Sequence, residues 1–599
     1  MTRYVFDIET NGLLDELDTI HCLVFKDIDT GEVFSHHDHG GWSIWAGLVK
    51  LLSADMIIGH NIMGFDLPAI QKIYPELKHT CQVRDTLVLS RLLFADLKER
   101  DFQFRVTNPD FPGRLIGSHS LRAWGHRIHN FKEDYDGGWD NWSPEMQHYC
   151  EQDVTVTASL WDKLLSKNPS AESVELEHRV FEIIQRQEQY GIRFDASGAR
   201  HLYGQLLARS AELADLLRSA FPPWETSTPF TPKRDNRTLG YKAGVAISKL
   251  KTVEFNPNSR DHIAEKLREK YDWQPTEFTP EGKPSLEEET LDALTYPEAK
   301  LLSESFMITK RLGQIGEGKN SWIKLERNGR IHGRINTNGA VTGRMTHSHP
   351  NMAQVPSVRS PYGKECRSLF TAGPGKLLVG CDADALELRC LAGYMAHYDN
   401  GDYIKTVLEG NKADATDMHS LNARVLGCDR DTAKTWFYAF IYGAGDGKLG
   451  SILGANSSRG KKSRASFLEA LPALRKLVSG VQLRASQRGY LLGLDGRHLP
   501  VRSSHAALNT LLQSAGAIFM KKGLVLLDAK LQSKGYQAGK DYEFVANVHD
   551  EWQIETREDI ADEVGAEAVG AIRDAGVAYN FRCPLAGNYS TGRNWADTH

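Results

Sequence analysis

The sequence predicts a multidomain protein of the α/β class. A chain of 599 residues exceeds what one hydrophobic core can hold, so several domains are expected. Short apolar strands that carry acidic residues occur in both halves of the chain, for example at Arg3–Thr10 and at residues 378–382, and long amphipathic helices lie between them. A content of 41% hydrophobic and 25% charged residues is typical of a folded globular protein.

Charge and cysteine usage exclude several classes of protein. The net charge is −5, so any contact with nucleic acid depends on local basic patches. We interpret the basic run at residues 459–464 as a solvated loop in preference to a binding site. None of the eight cysteines has CxxC spacing, which argues against a zinc ribbon and a disulfide framework. Because we find no signal sequence and no apolar run long enough to cross a bilayer, we expect a soluble intracellular protein.

The first predicted strand, Arg3–Thr10, carries two candidate metal ligands, Asp7 and Glu9. Their i, i+2 spacing places both carboxylates on one face of the strand. Two acids in a mostly apolar strand are costly unless a cation or hydrogen-bond donors offset their charge. A single pair of this kind also occurs by chance at exposed turns.

Further acidic positions follow in the first part of the chain. Asp66 comes after a short apolar strand at residues 57–61, and Tyr149 and Asp153 share one face of a predicted helix because they are spaced i, i+4. Each feature is weak alone. The ordered set of strand acids, a later aspartate and a Tyr-x-x-x-Asp helix resembles the proofreading 3′–5′ exonucleases.

A domain boundary is predicted at residues 167–170, which are polar and include a proline. Two long amphipathic helices follow, at about residues 173–190 and 196–220, and we expect them to pair. Gly191 ends the first of them. Residues 221–254 form a short connection that contains proline, threonine and lysine.

The stretch 429–447 is predicted to contain a helix that binds an anion. Arg430, Lys434 and Tyr438 are spaced i, i+4, i+8, so they form one stripe along the helix. Two cations and an aromatic ring on one stripe suit a triphosphate that carries a base. The alternative is a surface helix with a solvated basic face.

Two carboxylates flank this helix in the sequence. Asp382 ends an apolar strand, and Asp550 lies between the apolar segments 544–546 and 552–554, which predicts the tip of a hairpin. Two carboxylate positions on either side of a cationic helix form the arrangement that two-metal phosphoryl transfer requires.

With these motifs the chain resembles the A-family DNA polymerases, and within that family the phage replicative polymerases of the T-seven type. The resemblance covers nearly the whole chain. It implies an RNase H-like 3′–5′ exonuclease domain followed by a right-hand polymerase domain with palm, fingers and thumb. We place these parts at residues 1–166 (exonuclease), 167–325 (thumb and connecting helices), 326–395 (first part of the palm), 396–508 (fingers) and 509–599 (second part of the palm).

The resemblance also implies the roles of residues in the first domain. Two divalent ions, Mg²⁺ or Mn²⁺ in its place, are expected at four carboxylates, and all four are present, so we expect an active exonuclease. Tyr149 would orient the attacking water. The implied ligands are Asp7, Glu9, Asp66 and Asp153. The segments 85–92 and 118–125 are assigned packing roles.

In the polymerase domain the resemblance implies a second pair of divalent ions, held by Asp382, the Ala383 carbonyl and Asp550. Lys434 would also protonate pyrophosphate, and Glu387 would help to exclude a 2′-hydroxyl. Tyr438 implies tolerance of a sugar that lacks its 3′-hydroxyl. The implied nucleotide-binding residues are His419, Arg430, Lys434, Tyr438 and Glu387. The implied DNA-binding residues are Arg344, Gln513, His549, Tyr442 and Gly443.

Arg344 and Gln513 are expected to contact the minor groove of the primer-template. Acceptor atoms are present there in every Watson–Crick pair, so a donor can check the geometry of a pair without reading its sequence. On residue chemistry alone, a contact between Arg344 and a phosphate is equally well supported.

We therefore expect a template-directed DNA polymerase with proofreading, which binds primer-template DNA and deoxynucleoside triphosphates and replicates a phage genome in the host cytoplasm. A helicase-primase and a single-stranded DNA-binding protein are compatible further partners. In the relatives a long thumb insertion captures host thioredoxin. The short connection at residues 221–254 argues against thioredoxin here, so processivity is low or has another source.

Two alternatives remain at this point. A nucleic-acid-binding or repair factor with a degenerate polymerase site is disfavoured by the presence of Asp382, Lys434 and Asp550. A single-subunit RNA polymerase, which shares the palm, is disfavoured by the exonuclease residues and by Glu387.

Overall fold

The computed structural model describes residues 1–39, 43–132, 134–275, 278–279 and 281–599. Contacts within the chain divide it into two compact units. The first unit comprises Met1–Ile192, His332–Val355 and Thr371–His599, and the second comprises Arg193–Ile331 and Pro356–Phe370.

The amino-terminal part of the first unit is an α/β domain. Its elements in chain order are β1 (Arg3–Thr10), β2 (Ile20–Asp27), β3 (Val33–His36), α1 (Ile44–Leu52), β4 (Met56–Gly59), α2 (Asp66–Ile73), β5 (Gln82–Asp85), α3 (Thr86–Leu93), α4 (Leu97–Thr107), α5 (Leu121–Ile128) and α6 (Pro144–Leu165). The sheet has the order β3-β2-β1-β4-β5. Strands β1, β2 and β3 pair antiparallel, whereas β4 pairs parallel with β1 and β5. This mixed sheet agrees with the predicted RNase H-like fold.

Successive side chains of β1 point to opposite faces of the sheet and enter two different hydrophobic cores. Phe6 and Ile8 enter one hydrophobic core, whereas Val5 packs in another core with residues of α6. Asp7 and Glu9 continue the face of Val5 because side chains alternate with period two along a strand. The predicted acidic pair thus points to the helix that carries Tyr149 and Asp153.

The middle of the chain contributes to both units. Its elements are α7 (Ala171–Tyr190), β6 (Ile192–Phe194), α8 (Ala196–Ala220), β7 (Trp224–Phe230), β8 (Ile247–Val253), α9 (Arg260–Tyr271), α10 (Glu288–Asp292), α11 (Pro297–Leu312), α12 (Trp322–Leu325), β9 (Glu326–Arg327), β10 (Arg330–Ile331), β11 (Arg334–Asn336), β12 (Thr346–Ser348) and α13 (Gly363–Ser368). Helices α7 and α8, which we expected to pair as a thumb, fall in different units, because α7 packs on α3, α21 and β17 of the first unit.

The second unit has its own core, formed by apolar side chains of α8, α9 and α11 such as Leu217, Ile263 and Leu302. Residues 221–254, predicted only as a short connection, contain an antiparallel hairpin of β7 and β8. Its side chains are mostly exposed, so pairing of the backbone rather than burial defines it.

The remaining elements belong to the first unit, except that Phe370 of the first strand below lies in the second, and they consist of a palm sheet with helices. Its elements are β13 (Phe370–Thr371), β14 (Lys376–Ala383), α14 (Leu386–Asp399), α15 (Asp402–Glu409), α16 (Met418–Leu426), α17 (Arg430–Ile441), α18 (Asp446–Ile452), α19 (Ser457–Ala470), α20 (Pro472–Arg488), β15 (Tyr490–Leu492), β16 (His498–Pro500), α21 (Ala507–Ser533), β17 (Tyr542–Val548), β18 (Glu551–Arg557), α22 (Ala561–Ala578) and β19 (Gly587–Gly592). Strands β17, β18, β14 and β19 form an antiparallel sheet in that order.

Short 3₁₀ and π helices complete the secondary structure. The 3₁₀ helices span Gly113–Leu115, Met352–Gln354, Ser504–Ala506 and Glu558–Ile560, and a π-helix spans Gly313–Glu317.

Two expectations about surface and membrane segments are corrected. The basic run 459–464 is part of helix α19 rather than a loop, and Arg464 pairs with Asp446 at 2.7 Å. The segment Ser504–Ser533 is long and apolar enough to cross a membrane by length and composition, contrary to our expectation. However, 78% of its most apolar window is buried within the protein, as in the core helix of a globular domain. All eight cysteines are described, and all are free thiols.

Candidate active sites

The structure brings together the four acids predicted in the amino-terminal domain, which we call the amino-terminal acidic cluster: Asp7, Glu9, Asp66 and Asp153. Strand β1 supplies the first two, α2 begins with Asp66, and α6 supplies Asp153. The Ile8 backbone N–H donates to Asp66 Oδ1 at 3.3 Å, so the start of α2 is fixed beside β1. Ligand atoms of Asp7, Glu9 and Cys150 lie within 4.8 Å of one another.

Burial and mutual repulsion raise the pKa values of the carboxylates in this cluster. Burial, followed by the charge of Asp66, raises the pKa of Asp7. Burial and Asp153 raise the pKa of Glu9 to about 8, and burial raises the pKa of Asp66 to about 7. A bound divalent cation would offset this accumulation of negative charge, and oxygen ligands suit Mg²⁺ or Mn²⁺.

Lys132 is a member of this site that sequence reasoning missed. Its ammonium forms an ion pair with Asp153 and lies 4.4 Å from the ring centroid of Tyr149. Burial alone lowers the pKa of Lys132, but the charges of Asp153 and Asp7 raise it above its ordinary value. A single lysine in an irregular segment has no periodicity that connects it to a carboxylate 21 residues later.

Asp85 shapes the approach to Asp66, in keeping with the packing role predicted for residues 85–92. It caps α3, accepting from the backbone of Leu87 at 2.8 Å. It also accepts from the N–H groups of Asn61 and Met63, both at 3.0 Å. These bonds fix the turn between β4 and α2, and therefore the position from which Asp66 enters the cluster.

Asp382 and Asp550 form the second candidate site, which we call the palm carboxylate pair. Asp382 lies on β14 opposite Glu551 of β18, and Asp550 lies in the two-residue turn between β17 and β18. The Ala383 N–H donates to the Asp550 carbonyl at 3.0 Å, which brings the turn to the end of β14. His549 adopts a left-handed conformation, with φ of 58°, that closes this tight turn.

The electrostatics of the palm carboxylate pair resemble those of the first cluster. Desolvation, followed by the charges of Asp550 and Glu551, raises the pKa of Asp382 to about 7. Desolvation also raises the pKa of Asp550. The charge of Asp550 thus disfavours ionisation of Asp382, and a divalent cation would relieve this repulsion.

The carboxy-terminal residues support this site and were not predicted. The Glu551 carboxylate is buried and accepts from the indole of Trp595 at 2.6 Å and from the amide of Gln553 at 2.6 Å. His599 Nε2 lies 2.7 Å from the other oxygen of Glu551. These contacts hold Glu551 away from the tip of the hairpin and leave Asp550 as the outward carboxylate.

Helix α17 carries the predicted stripe. Asp429 caps it, accepting from the N–H groups of Asp431 and Thr432 at 3.0 and 2.9 Å. Its inward face is buried, with Phe437, Phe440 and Ile441 in the core as predicted. The stripe itself therefore remains on the accessible side.

The members of the stripe differ in their contacts. Arg430 is paired with Asp417 at 2.9 Å. Burial raises the pKa of Asp417, but the bonds from Arg430 and Ser420 prevail and lower it to about 2. Lys434 is exposed and has no ion-pair partner within the described ranges. Of the two cations, Lys434 is the one presented to a ligand without a competing carboxylate.

His419 and Tyr438 lie side by side, with ring centroids 5.9 Å apart. Within the part of the chain that the structure describes, the buried Nδ1 of His419 has no hydrogen-bond partner. Burial, followed by the charges of Arg430 and Lys434, lowers the pKa of His419. The structure thus brings together the predicted residues of α16 and α17.

Glu387 connects this helix to the predicted DNA-contacting residues. Its carboxylate accepts from Arg344 Nη2 at 2.7 Å and from the Tyr442 hydroxyl at 2.5 Å. After α17, Gly443 has φ of 81°, and a Cβ there would lie 2.9 Å from the His505 carbonyl, so a side chain would be strained and crowded.

Arg344 and His549 line one small cavity of about 30 Å³, together with Lys521, Asn547 and Trp552. Gln513 is half-buried on α21. Among the described residues it forms no hydrogen bond with Arg344, so the structure places this predicted pair on separate elements without joining them.

Comparisons with known proteins point to one family. The profile of DNA polymerase family A matches residues 241–597. The chain is 37% identical over 713 aligned positions to the DNA-directed DNA polymerases of Escherichia phage T7 and of Enterobacteria phage T3, with 99% of this chain and 100% of each relative covered. DNA polymerase I of Pseudomonas aeruginosa is 27% identical over 61% of this chain and 41% of its own length.

Among solved structures, the POL domain of Pol1 from M. smegmatis, in complex with DNA primer-template and dNTP, has a similar fold. Its TM-score is 0.73 at 17% identity, with 99% of this chain and 96% of that chain covered.

Proposed function

Because the chain belongs to DNA polymerase family A and is a DNA-directed DNA polymerase, we propose that it is a replicative enzyme with a proofreading 3′–5′ exonuclease in the same chain. One observation carries the proposal. Helices and strands hold two separate sets of carboxylates, the amino-terminal acidic cluster and the palm carboxylate pair. Each group has the raised pKa values of a cation site.

Family A DNA polymerases are metal-dependent enzymes, and the residues of the palm fit divalent ions. Burial raises the pKa of both Asp382 and Asp550, and Ala383, which follows Asp382 in the chain, donates its N–H to the Asp550 carbonyl. We propose that the two carboxylates and the Ala383 carbonyl hold two Mg²⁺ ions, for which Mn²⁺ can substitute. When bound, the ions lower the pKa of a hydroxyl and neutralise phosphate charge. The reaction joins the primer 3′ oxygen to the α-phosphate and releases pyrophosphate.

The residues of α16 and α17 would bind the incoming deoxynucleoside triphosphate. Lys434 is free to contact the phosphates and to donate a proton to the leaving pyrophosphate. Arg430 would contact the triphosphate from its position beside Asp417, which it bonds through Nε and Nη2. His419 offers its buried Nδ1, and Tyr438 would stack near the base and sugar.

Glu387 would limit the space beside the sugar, so that a ribose 2′-hydroxyl is disfavoured. In the structure it holds Arg344 and Tyr442. We propose that DNA binding releases Arg344 toward the minor groove, where Gln513 would act as a second donor. Tyr442 and Gly443 would lie beside the templating base, and His549 beside the primer end.

The amino-terminal acidic cluster would remove mispaired 3′ ends. Its four carboxylates exceed the single positive charge of Lys132, so the donor set fits two divalent ions. Bound there, the ions would promote attack of water on the terminal phosphodiester. Tyr149 would orient that water, and its ring already lies against the Lys132 ammonium.

The relatives suggest a phage genome as the template, and thus the host cytoplasm as the place of action. A helicase-primase and a single-stranded DNA-binding protein are proposed partners. The 713 aligned positions exceed the 599 residues of this chain by more than a hundred, so the phage relatives carry residues that have no counterpart here. This supports our proposal that thioredoxin is not a partner.

The test is extension of a primed single-stranded circle with Mg²⁺ and either deoxy- or ribonucleotides. We expect long products from deoxynucleotides only, with no change on addition of thioredoxin. Asp382→Ala should abolish extension, whereas Asp384→Ala, a matched loss of a carboxylate two residues away, should retain it. Extension with ribonucleotides, or longer products in the presence of thioredoxin, would contradict the corresponding part of the proposal.

A further inference from the structure

Beneath the loop that carries Arg344 lies a set of almost inaccessible polar side chains, which we call the buried charge network: Glu177, Asn338, Asp495, Arg497 and Lys521. The side chains of Glu177 and Asp495 are 0% exposed, and those of Arg497 and Lys521 are 2% exposed. The proposed chemistry of the two active sites uses none of these residues.

Two cations and two anions balance within the network. Arg497 Nη2 lies 2.6 Å from Glu177 Oε1 and 2.6 Å from Asp495 Oδ2. Lys521 Nζ lies 2.6 Å from the same Glu177 oxygen. Buried ion pairs of this kind contribute little net stability compared with apolar packing, so their value lies in fixing one arrangement of the chain.

Both cations converge on one amide of the loop. Arg497 Nη1 and Lys521 Nζ each donate to Asn338 Oδ1 at 3.1 Å. Asn338 is the second residue of the loop between β11 and β12 that leads to Arg344. Two charge-assisted hydrogen bonds from the network therefore fix the start of that loop.

Arg497 also packs against the other end of the loop. Gly343 has φ of 76°, and a Cβ there would lie 2.6 Å from Arg497 Nη1, so the guanidinium lies directly against the loop backbone. Internal bonds from Ala340 N–H to the Arg344 carbonyl at 3.2 Å, and from Gly343 N–H to the Ala340 carbonyl at 2.9 Å, close the loop.

The same helix that supplies Glu177 also holds the rest of the site. On α7, Glu188 Oε1 accepts from the Ile335 N–H of β11 at 2.5 Å. Gln187 Oε1 accepts from the amide of Asn547 at 2.5 Å, on the strand that leads to Asp550. Helix α7 thus contacts both the strand that leads to the Arg344 loop and the strand that leads to the palm carboxylate pair.

We propose that Glu177, Arg497 and Lys521 are positioning residues that fix Asn338, and through it set the height of Arg344 above the palm carboxylate pair. This inference rests on the proposed contact of Arg344 with the minor groove. The Arg344 side chain must leave Glu387 to reach DNA. A loop anchored from below keeps its backbone in place during that exchange, so that a matched terminal pair meets the guanidinium and a distorted one does not.

The test compares extension from matched and mismatched primer ends in a background with Asp7→Ala and Glu9→Ala, so that mismatches persist. The variants are Asn338→Leu, which leaves all four charges in place, and Glu177→Gln with Lys521→Met, which keeps the network neutral. Lys522→Met, the next residue of α21, is the matched control, and Arg344→Ala is the reference.

For both network variants, we expect kcat/KM at matched ends to fall roughly tenfold, because a small misplacement of a positioning group is costly in the transition state. At mismatched ends kcat/KM should change less than about twofold. The ratio of kcat/KM at matched ends to that at mismatched ends therefore falls, as it does in Arg344→Ala. Lys522→Met should retain the ratio. Purely structural damage would lower both rates together.

Two outcomes would overturn the inference in distinguishable ways. In the first outcome, Arg344→Ala lowers the ratio of matched to mismatched extension, but both network variants lower the two rates equally or leave both unchanged. The network then does not position the loop. If Arg344→Ala itself leaves the ratio unchanged, the proposed minor-groove contact fails, and the inference that rests on it fails too. If one network variant does not fold, as judged by its thermal midpoint, the other decides between these outcomes.

Discussion

The two carboxylate sites of this chain differ in how they manage their charge. In the amino-terminal acidic cluster, Asp66 and Asp153 are 4% and 3% exposed, Asp7 and Glu9 are half-buried, and Lys132 pairs with Asp153. In the palm carboxylate pair, Asp550 is exposed at a hairpin tip and Asp382 is half-buried. Within the described ranges, neither forms an ion pair with a lysine or an arginine.

This difference separates a closed site from an open one. In the proposed exonuclease, the resident lysine would keep the four acids together while the end of one DNA strand enters the site. An open site at a hairpin tip must admit a duplex and a triphosphate, so its charge is balanced by what binds. The first site should therefore depend on its own residues for stability, and the second should depend mainly on its ligands for activity.

The largest effect is expected at the open site. Asp382→Ala should lower primer extension by at least about a thousandfold, because it removes a carboxylate that holds both ions and leaves no substitute. Degradation of a single strand should continue at the unmodified rate. The measurement is single-turnover incorporation beside single-strand degradation by the same preparation, and equal loss of both would remove the distinction between the sites.

Loss of the first strand's acids should have the converse result. The double variant Asp7→Ala and Glu9→Ala should lower release of 3′ nucleotides by roughly a thousandfold, because two of four ligands are lost. Primer extension should be unchanged. Glu16→Ala, an exposed acid of the same domain, is the control for a change of charge alone, and retained nuclease activity in the double variant would contradict the assignment.

Lys132→Met tests whether the closed site depends on its resident cation. Without Mg²⁺ we expect local unfolding of α6 to become easier by roughly 3–5 kcal/mol, because buried carboxylates lose their partner. Added Mg²⁺ should restore much of the loss. Hydrogen exchange of α6 gives this energy, and Lys163→Met, an exposed lysine on the same helix, is the control. An equal loss with and without Mg²⁺ would contradict the account.

The smallest effect concerns pH. Glu9 has a folded pKa of about 8, above its ordinary value of 4.5, so between these values the folded state keeps a proton that the unfolded state has lost. The contribution of Glu9 to stability is therefore present at low pH and falls as pH rises through this window. In EDTA, hydrogen exchange of α6 should report the free energy of local unfolding at pH 5 and at pH 8. Between these values it should fall by roughly 2–3 kcal/mol more in the unmodified protein than in Glu9→Gln. Parallel pH profiles would exclude this shift.

Sequence patterns predicted the parts of these sites that repeat with a period. Asp7 and Glu9 alternate on a strand, and Arg430, Lys434 and Tyr438 follow a helix, so their shared faces could be read directly. The tip at Asp550 could be predicted because apolar strands flank it.

The remaining parts depend on contacts between distant segments. Lys132 meets Asp153 only after the chain folds, and Glu177 meets Lys521 across 344 residues. The buried face of α7 gave no sign that the helix packs on the palm instead of pairing with α8. Nor could composition show that residues 221–254 form a hairpin, since its strands bury few side chains.

We propose that this one chain carries two separate sites, one that adds a nucleotide and one that removes it. The most direct test of this proposal is conversion of the next correct deoxynucleoside triphosphate into its monophosphate on a primer-template of fixed sequence, because each turnover requires addition followed by removal.

We predict steady production of monophosphate by the unmodified protein. Neither Asp382→Ala nor the double variant Asp7→Ala and Glu9→Ala should produce it alone. A mixture of the two variants should restore production, since the DNA can pass between molecules. Production by either variant alone, or none by the mixture, would contradict the claim of two separate sites.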